Sequence, residues 1–251
     1  MNIVSKKRDL GQFFTTNSDY ILQGLSHFVK NKEITDPFAG NQDLLRWAKL
    51  NNCKKIIGFD YDQKYIDGEN VLLNDSINYP KDYKFVCTNP PYLHKNKATK
   101  EIKDIFFHGK NSNFEDLYQV SIFSLLNCDE GILIAPLNFL CAENSNKIRK
   151  LFFEKFEIIK LNIFSEQVFD DTTYNVVSFY FKKRQRGSEK NIIDATIYPE
   201  NKKVKIIIER TYDWQFGGDF IHNIKNVKND LGVFRLTEDY LKSGEYKVEI
   251  A

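Results

Sequence analysis

Short apolar runs alternate with stretches of helical spacing along most of this chain. Few folds accept that alternation. It predicts an α/β protein whose mostly parallel sheet is covered by helices on both faces. Strands are expected at 33–35, 55–60, 72–76, 83–88, 131–135, 156–164 and 175–181, seven in all. Between them the i, i+3, i+4 pattern predicts helices over 18–30, 44–50, 63–71, 114–126 and 144–153. Beyond Arg186 the pattern changes. Two further strands, 191–198 and 203–209, flank a turn at Pro199-Glu200-Asn201-Lys202, and a mixed polar stretch follows. This places a boundary at Gly187-Ser188, with residues 1–187 as the main domain and 188–251 as a small or truncated appendage.

Composition narrows the class further. Of the 251 residues, 42% are hydrophobic and 14% aromatic, enough for a full core. There is no run of eighteen apolar residues and no apolar leader with a cleavage site, so a cytoplasmic protein with no membrane association is expected. The four cysteines (Cys53, Cys87, Cys128 and Cys141) are scattered and read as reduced thiols. No His/Cys cluster has ligand spacing, so no metal is expected. Net charge is only +2, but the positive charge is clustered. Lys182-Lys183-Arg184-Gln185-Arg186 is one basic run, and the lysine-rich loop with Lys95 and Lys97 is another. Either run is compatible with a solvated surface, and both are candidates for phosphate contacts.

The most specific chemistry sits at Asn89-Pro90-Pro91-Tyr92, directly after the apolar Phe85-Val86-Cys87. Two prolines end a strand, because proline lacks an N–H and fixes its φ. A stiff turn at the carboxyl end of a strand lies where open α/β sheets keep their ligands. Asn89 supplies an amide oxygen and Tyr92 a flat ring, which suits a planar amino group that must be held and polarised. Three features ahead of it fit a nucleotide-like cofactor. Gly40 makes a tight turn between a strand and a helix, Asp60 ends the next strand where a carboxylate can take ribose hydroxyls, and Asp75 precedes the Asn-Pro-Pro-Tyr strand. Alone, each acid is an ordinary cap or turn residue. Their order is what carries the signal.

In that order the motifs resemble those of adenine-N6 DNA methyltransferases of the gamma arrangement, over residues 8–186. Gly11-Gln12-Phe13-Phe14-Thr15-Thr16 resembles the family's N-terminal segment, and Asp36-Pro37-Phe38-Ala39-Gly40 its glycine loop. Asp60-Tyr61, Asp75-Ser76 and Asn89-Pro90-Pro91-Tyr92 match the ribose, adenine and catalytic motifs, and Val168-Phe169 resembles a late aromatic motif. The family loop usually has a second glycine where this chain has Gln42. A glutamine there costs nothing special if the turn is right-handed, and about 1 kcal/mol or more if φ is positive.

The resemblance implies a Rossmann-like methyltransferase fold with a C-terminal recognition appendage, and S-adenosylmethionine as cofactor. Gln12, Phe13, Thr15, Asp36, Phe38, Gly40, Asp60, Tyr61, Asp75, Ser76 and Asn89 would hold that cofactor. Asn89, Pro90, Pro91, Tyr92 and Phe169 would carry catalysis, with Tyr92 and Phe169 packing on a base flipped out of double-stranded DNA. Lys95, Lys97, Lys182, Lys183, Arg184 and Arg186 would meet phosphates. A cognate restriction enzyme, and a separate recognition domain or subunit, are the implied partners, in a microbial or viral setting. Two other readings stay open from the residues alone: N-methylation of an RNA base or a protein glutamine, and a non-catalytic DNA-binding relative.

Overall fold

The computed structural model of the chain describes residues 15–169, 175–185 and 187–225. Gln12, Phe13 and Arg186, named above, lie outside the described residues. Nine strands form one sheet: β1 (Glu33–Asp36), β2 (Lys55–Asp60), β3 (Val71–Leu73), β4 (Phe85–Thr88), β5 (Glu130–Pro136), β6 (Phe156–Phe164), β7 (Val176–Lys183), β8 (Lys190–Tyr198) and β9 (Lys202–Glu209). Their order across the sheet is β3-β2-β1-β4-β5-β7-β6-β8-β9. The first five run parallel to one another; β7 is antiparallel to both β5 and β6, and β9 is antiparallel to β8.

This corrects the expected seven-stranded, mostly parallel sheet. The strands after Gly187 continue the same sheet, because β8 pairs in parallel with β6 from Lys160↔Asp194 to Phe164↔Tyr198. An asparagine helps make the join. The β6–β7 register shifts between Ile158 and Lys160. There the Asn191 side chain takes the Ile158 N–H at 2.8 Å and returns its own amide to the Ile158 carbonyl at 2.8 Å. It stands in for a backbone partner and leaves that buried backbone satisfied.

The helices are α1 (Ser18–Ile21), α2 (Ser26–Val29), α3 (Asp43–Leu50), α4 (Lys100–Phe106), α5 (Leu117–Ser124), α6 (Asn138–Cys141), α7 (Asn146–Lys155) and α8 (Gly218–Lys225). The predicted helix over 18–30 is broken in two, with Gly24 at φ +74° in the break. The predicted helix over 63–71 is only a 3-10 turn, Gln63–Tyr65. Asp67 ends it, because its carboxylate takes the N–H groups of Glu69, Asn70 and Val71 and so competes with helical bonding. Under β5–β7 the core is aromatic, with Phe139, Phe152, Phe153, Phe179 and Phe181 in mutual contact. Among the described residues, no helix is long and apolar enough to cross a membrane.

Candidate active site

The adjacent parallel strands β2, β1 and β4 end on Asp60, Asp36 and Thr88. Parallel pairing therefore brings three polar strand ends to one edge of the sheet. A cleft opens there, lined by Thr15, Asp36, Phe38, Gly40, Asp60, Tyr61, Asp75, Ser76, Asn89 and Pro91 from the predicted set. About 900 Å³ lies between its protein atoms, open mouth included.

Asp36 is 2% exposed. Its Oδ1 accepts from Thr88 Oγ1 at 2.6 Å and from the Phe38 N–H at 3.1 Å. Burial pushes its carboxyl up to about 7, against the pull of those two donors. Asp60 accepts from the Gly40 N–H at 2.8 Å through Oδ2 and from the Asp62 N–H at 2.8 Å through Oδ1, and burial raises its carboxyl too. The acid expected at the ribose therefore also ties β2 to the glycine turn. Gln42 ends that turn at φ +66°, in the left-handed region, so the dearer of the two expectations for this residue holds. Its amide donates to Asp67 Oδ2 at 2.9 Å. Asp75 bonds the Ile77 and Asn78 N–H groups and the Asn78 amide, closing the turn that carries Ser76.

Asn89 leaves β4 beside this acidic wall. Its Nδ2 donates to Thr15 Oγ1 at 3.1 Å, and its Oδ1 accepts from the Tyr92 hydroxyl at 2.6 Å. Thr15 and the Asn-Pro-Pro-Tyr turn, far apart in sequence, thus meet on one side chain. Tyr92 and Phe169 are each 5% exposed. The Tyr92 ring lies edge-on to Tyr118, with centroids 6.2 Å apart, and burial raises its hydroxyl well above the usual range.

The cleft wall carries five carboxylates (Asp36, Asp43, Asp60, Asp62 and Asp75) and no cationic side chain among the described residues. Arg46 and Lys64 pair with Asp43 and Asp62. Reading the sequence missed several wall residues: Asn41, Asp62, Asn74, Ile102, Phe106 and Leu117. Phe106 and Ile102 had a usable signal, as apolar positions four apart on a helix that starts after a Thr cap. Tyr61, half-exposed, meets Phe106 edge-on at 5.5 Å.

The basic run is the main correction to the predicted site. Because β7 is antiparallel to β5, Lys182 pairs with Glu130, at the start of β5 and level with Phe85 at the start of β4. Lys182 and Lys183 therefore lie at the sheet edge opposite Asn89, where they pair with Glu157 and Asp129. Arg184 stacks over Trp214 at 4.1 Å and donates to the carbonyls of Phe156 and Ser188. Trp214 itself is core, 3% exposed. Lys95 and Lys97 are the first and last residues of a 3-10 turn just past Tyr92; Lys97 is exposed, and Lys95 reaches the Ser112 carbonyl at 3.2 Å.

A family model described as "Eco57I restriction-modification methylase" matches residues 5–169. A comparison with curated proteins finds no match. Among solved structures, the chain resembles a modification subunit of a candidate type I restriction enzyme from Vibrio vulnificus YJ016, at TM-score 0.57 and 14% identity over 87% of this chain and 54% of that one. It also resembles the type IIG restriction endonuclease BpuSI, at TM-score 0.54 and 14% identity over 87% of this chain and 30% of that one. A candidate RNA methyltransferase from Pyrococcus horikoshii gives 0.52 and 16%, over 71% and 88%. At these identities the likeness is one of fold. The chain spans about half or less of the two restriction proteins.

Proposed function

Because the chain belongs to the Eco57I restriction-modification methylase family, we propose that it transfers a methyl group from S-adenosylmethionine to N6 of an adenine flipped out of DNA. The observation that carries this reading is the setting of Asn89, a side-chain amide at the rim of a cleft walled by carboxylates.

The donor set suits this cofactor. A phosphate-bearing cofactor would meet a wall of acids with no cationic side chain among its described lining residues, whereas a sulfonium and an ammonium group suit the acids that Arg46 and Lys64 leave unpaired. Asp60 and Tyr61 are the residues we assign to the ribose and the adenine ring, Asp75 and Ser76 to the adenine edge, and Thr15, Asp36, Phe38 and Gly40 to the remaining cofactor wall. When bound, the cofactor supplies a methyl group on a sulfonium. The chain supplies acceptors: Asn89 Oδ1 and the Pro90 carbonyl each take one N6–H, draw the nitrogen toward tetrahedral geometry, and stabilise the positive charge that develops on it. Tyr92 and Phe169 would pack on the flipped base, each after turning from its buried position.

Residues 1–187 would be the catalytic domain. Residues 188–251 would serve target recognition, alone or with a further domain or subunit, on the base that β8 and β9 add to the sheet. Lys95 and Lys97 are the phosphate contacts we retain; the run from Lys182 to Arg184 faces the wrong way for that task. Action beside a restriction enzyme, in a microbial or viral cytoplasm, is the setting that the family suggests.

Labelled S-adenosylmethionine offered with duplex DNA, structured RNA and a protein extract tests the reading. Label recovered as N6-methyladenine from DNA, and lost in Asn89→Ala while cofactor binding persists, supports it. Label in RNA or protein keeps the corner and overturns the substrate. No cofactor binding overturns the assignment.

A further inference from the structure

The catalytic turn contains two prolines with no N–H, so it must be held by what flanks it. On the incoming side the hold is Thr88 Oγ1 on Asp36 Oδ1, at 2.6 Å. On the outgoing side a second, half-buried carboxylate does the same work. The Leu93 N–H donates to Asp116 Oδ1 at 3.1 Å, and the Tyr118 N–H reaches the same oxygen at 3.3 Å. Asp116 is thus both the N-cap of α5 and the grip on the first residue after Asn-Pro-Pro-Tyr. Backbone bonds reinforce the contact: Leu117 N–H to the Leu93 carbonyl at 3.0 Å, and Lys95 N–H to the Glu115 carbonyl at 2.7 Å. The residues after Asp116 also serve the site, Leu117 as cleft wall and Tyr118 as the edge against the Tyr92 ring.

An N-cap carboxylate ordinarily sits in water, where its charge costs nothing. This one is buried enough that its carboxyl is pushed up to about 6, despite the N–H groups of Tyr118 and Leu93 and the nearby His94. Capping alone does not call for that burial; contact with the catalytic turn does.

We propose that Asp116 is a positioning residue for the catalytic turn, fixing Asn89 and Tyr92 through Leu93 while touching no substrate. The assignment rests on the function proposed above. The test compares kcat, KM for DNA and cofactor Kd in four variants, at a temperature well below each melting point. Asp116→Ala should lower kcat by about tenfold or more, as expected of a small misplacement of a reacting group, with cofactor Kd unchanged. Asp116→Asn keeps an oxygen for both N–H groups and should restore most of kcat. Asp116→Glu keeps the charge but shifts the acceptor by one methylene, so it should fold and still lose kcat. Gln119→Ala removes the other half of the capping box and should lower stability without lowering kcat. Wild-type kcat in Asp116→Ala or Asp116→Glu, or a kcat loss in Gln119→Ala matching its loss of stability, would overturn the assignment. A wild-type chain that methylates no DNA overturns the functional reading first and this assignment with it. An active wild type with an unaffected Asp116→Glu overturns the assignment alone.

Discussion

The Tyr92 hydroxyl donates a 2.6 Å hydrogen bond to Oδ1 of Asn89, the oxygen that the proposed chemistry needs as an acceptor. An amide oxygen has two lone pairs, so the substrate amino group meets it with one already taken by the tyrosine. Tyr92→Phe keeps the ring and removes that bond. A typical hydrogen bond has a net value of about 0.5–1.5 kcal/mol, so this variant should hold an extrahelical adenine tighter by up to that amount. Tyr92→Ala loses the ring as well and should hold it more weakly. Equilibrium binding of DNA carrying an unpaired adenine at the target position, compared with the same DNA carrying purine without the amino group, reads both. Equal weakening in the two variants would mean that the hydroxyl assists base capture.

Gln42 occupies left-handed backbone where a glycine would be unstrained. Its exposed bond to Asp67 offsets part of the cost. Gln42→Gly should be neutral or slightly stabilising, whereas Gln42→Val, branched at Cβ, should be less stable than Gln42→Gly by about 1–2 kcal/mol. Urea melts decide this, and equal midpoints for the two variants would show that the turn relaxes to a right-handed form.

Burial raises the Asp36 carboxyl to about 7 and the Asp116 carboxyl to about 6, above the unfolded value of about 3.9. A carboxyl raised by folding contributes stability that is fully present below the unfolded value and is lost as pH rises through the folded one. The melting temperature should therefore fall as pH rises from about 4 to about 7. Asp67 and Asp213 are shifted downward, so their contribution is lost only on the acid side of that window. Thermal melts of wild type and Asp36→Asn across this range check the sign. A slope that survives in Asp36→Asn undiminished would remove Asp36 as its main source.

Gly131 in β5 faces Val86 in β4 so closely that an added Cβ would lie 2.4 Å from the Val86 carbonyl oxygen and 2.5 Å from Val86 Cγ2. Backbone cannot give way as a flexible side chain would. Gly131→Ala should cost about 1–3 kcal/mol by overpacking. It should also disturb Asn89, which sits just past the end of β4. Chemical denaturation beside an activity assay reads both effects, and an unchanged midpoint would mean that the two strands are less tightly joined.

The part of the site legible in the sequence lies on strand ends. Asp60 and Asn89 close apolar runs and Asp36 closes the short Glu33-Ile34-Thr35, and a parallel sheet sends all such ends to one edge. The direction of β7 was not legible, because side-chain alternation is the same read forward or backward. That is why the sequence does not announce that Lys182 and Lys183, expected to meet phosphates, lie at the edge opposite Asn89. The attachment of β8 depends on a side chain, Asn191, bonding across to Ile158, which no local pattern announces. The loss of the helix over 63–71 traces to Asp67 collecting three backbone donors. Asp116 did carry a local mark, with Gln119 three residues on, but its bond to Leu93 follows only once α5 is seen packed beside the catalytic turn.

The reversal of β7 also governs how often the chain returns to the rim of the cleft. A parallel connection has to cross the whole sheet before the chain comes back, whereas a hairpin delivers both of its ends to the same side. β6 climbs to that rim and β7 descends from it, so residues 165–169 and Asn175 arrive at the level of Pro136, the end of β5. Pairing to β5 and β8 locks both strands of the hairpin, so the residues it carries to the rim sit on a support that cannot shift without the sheet.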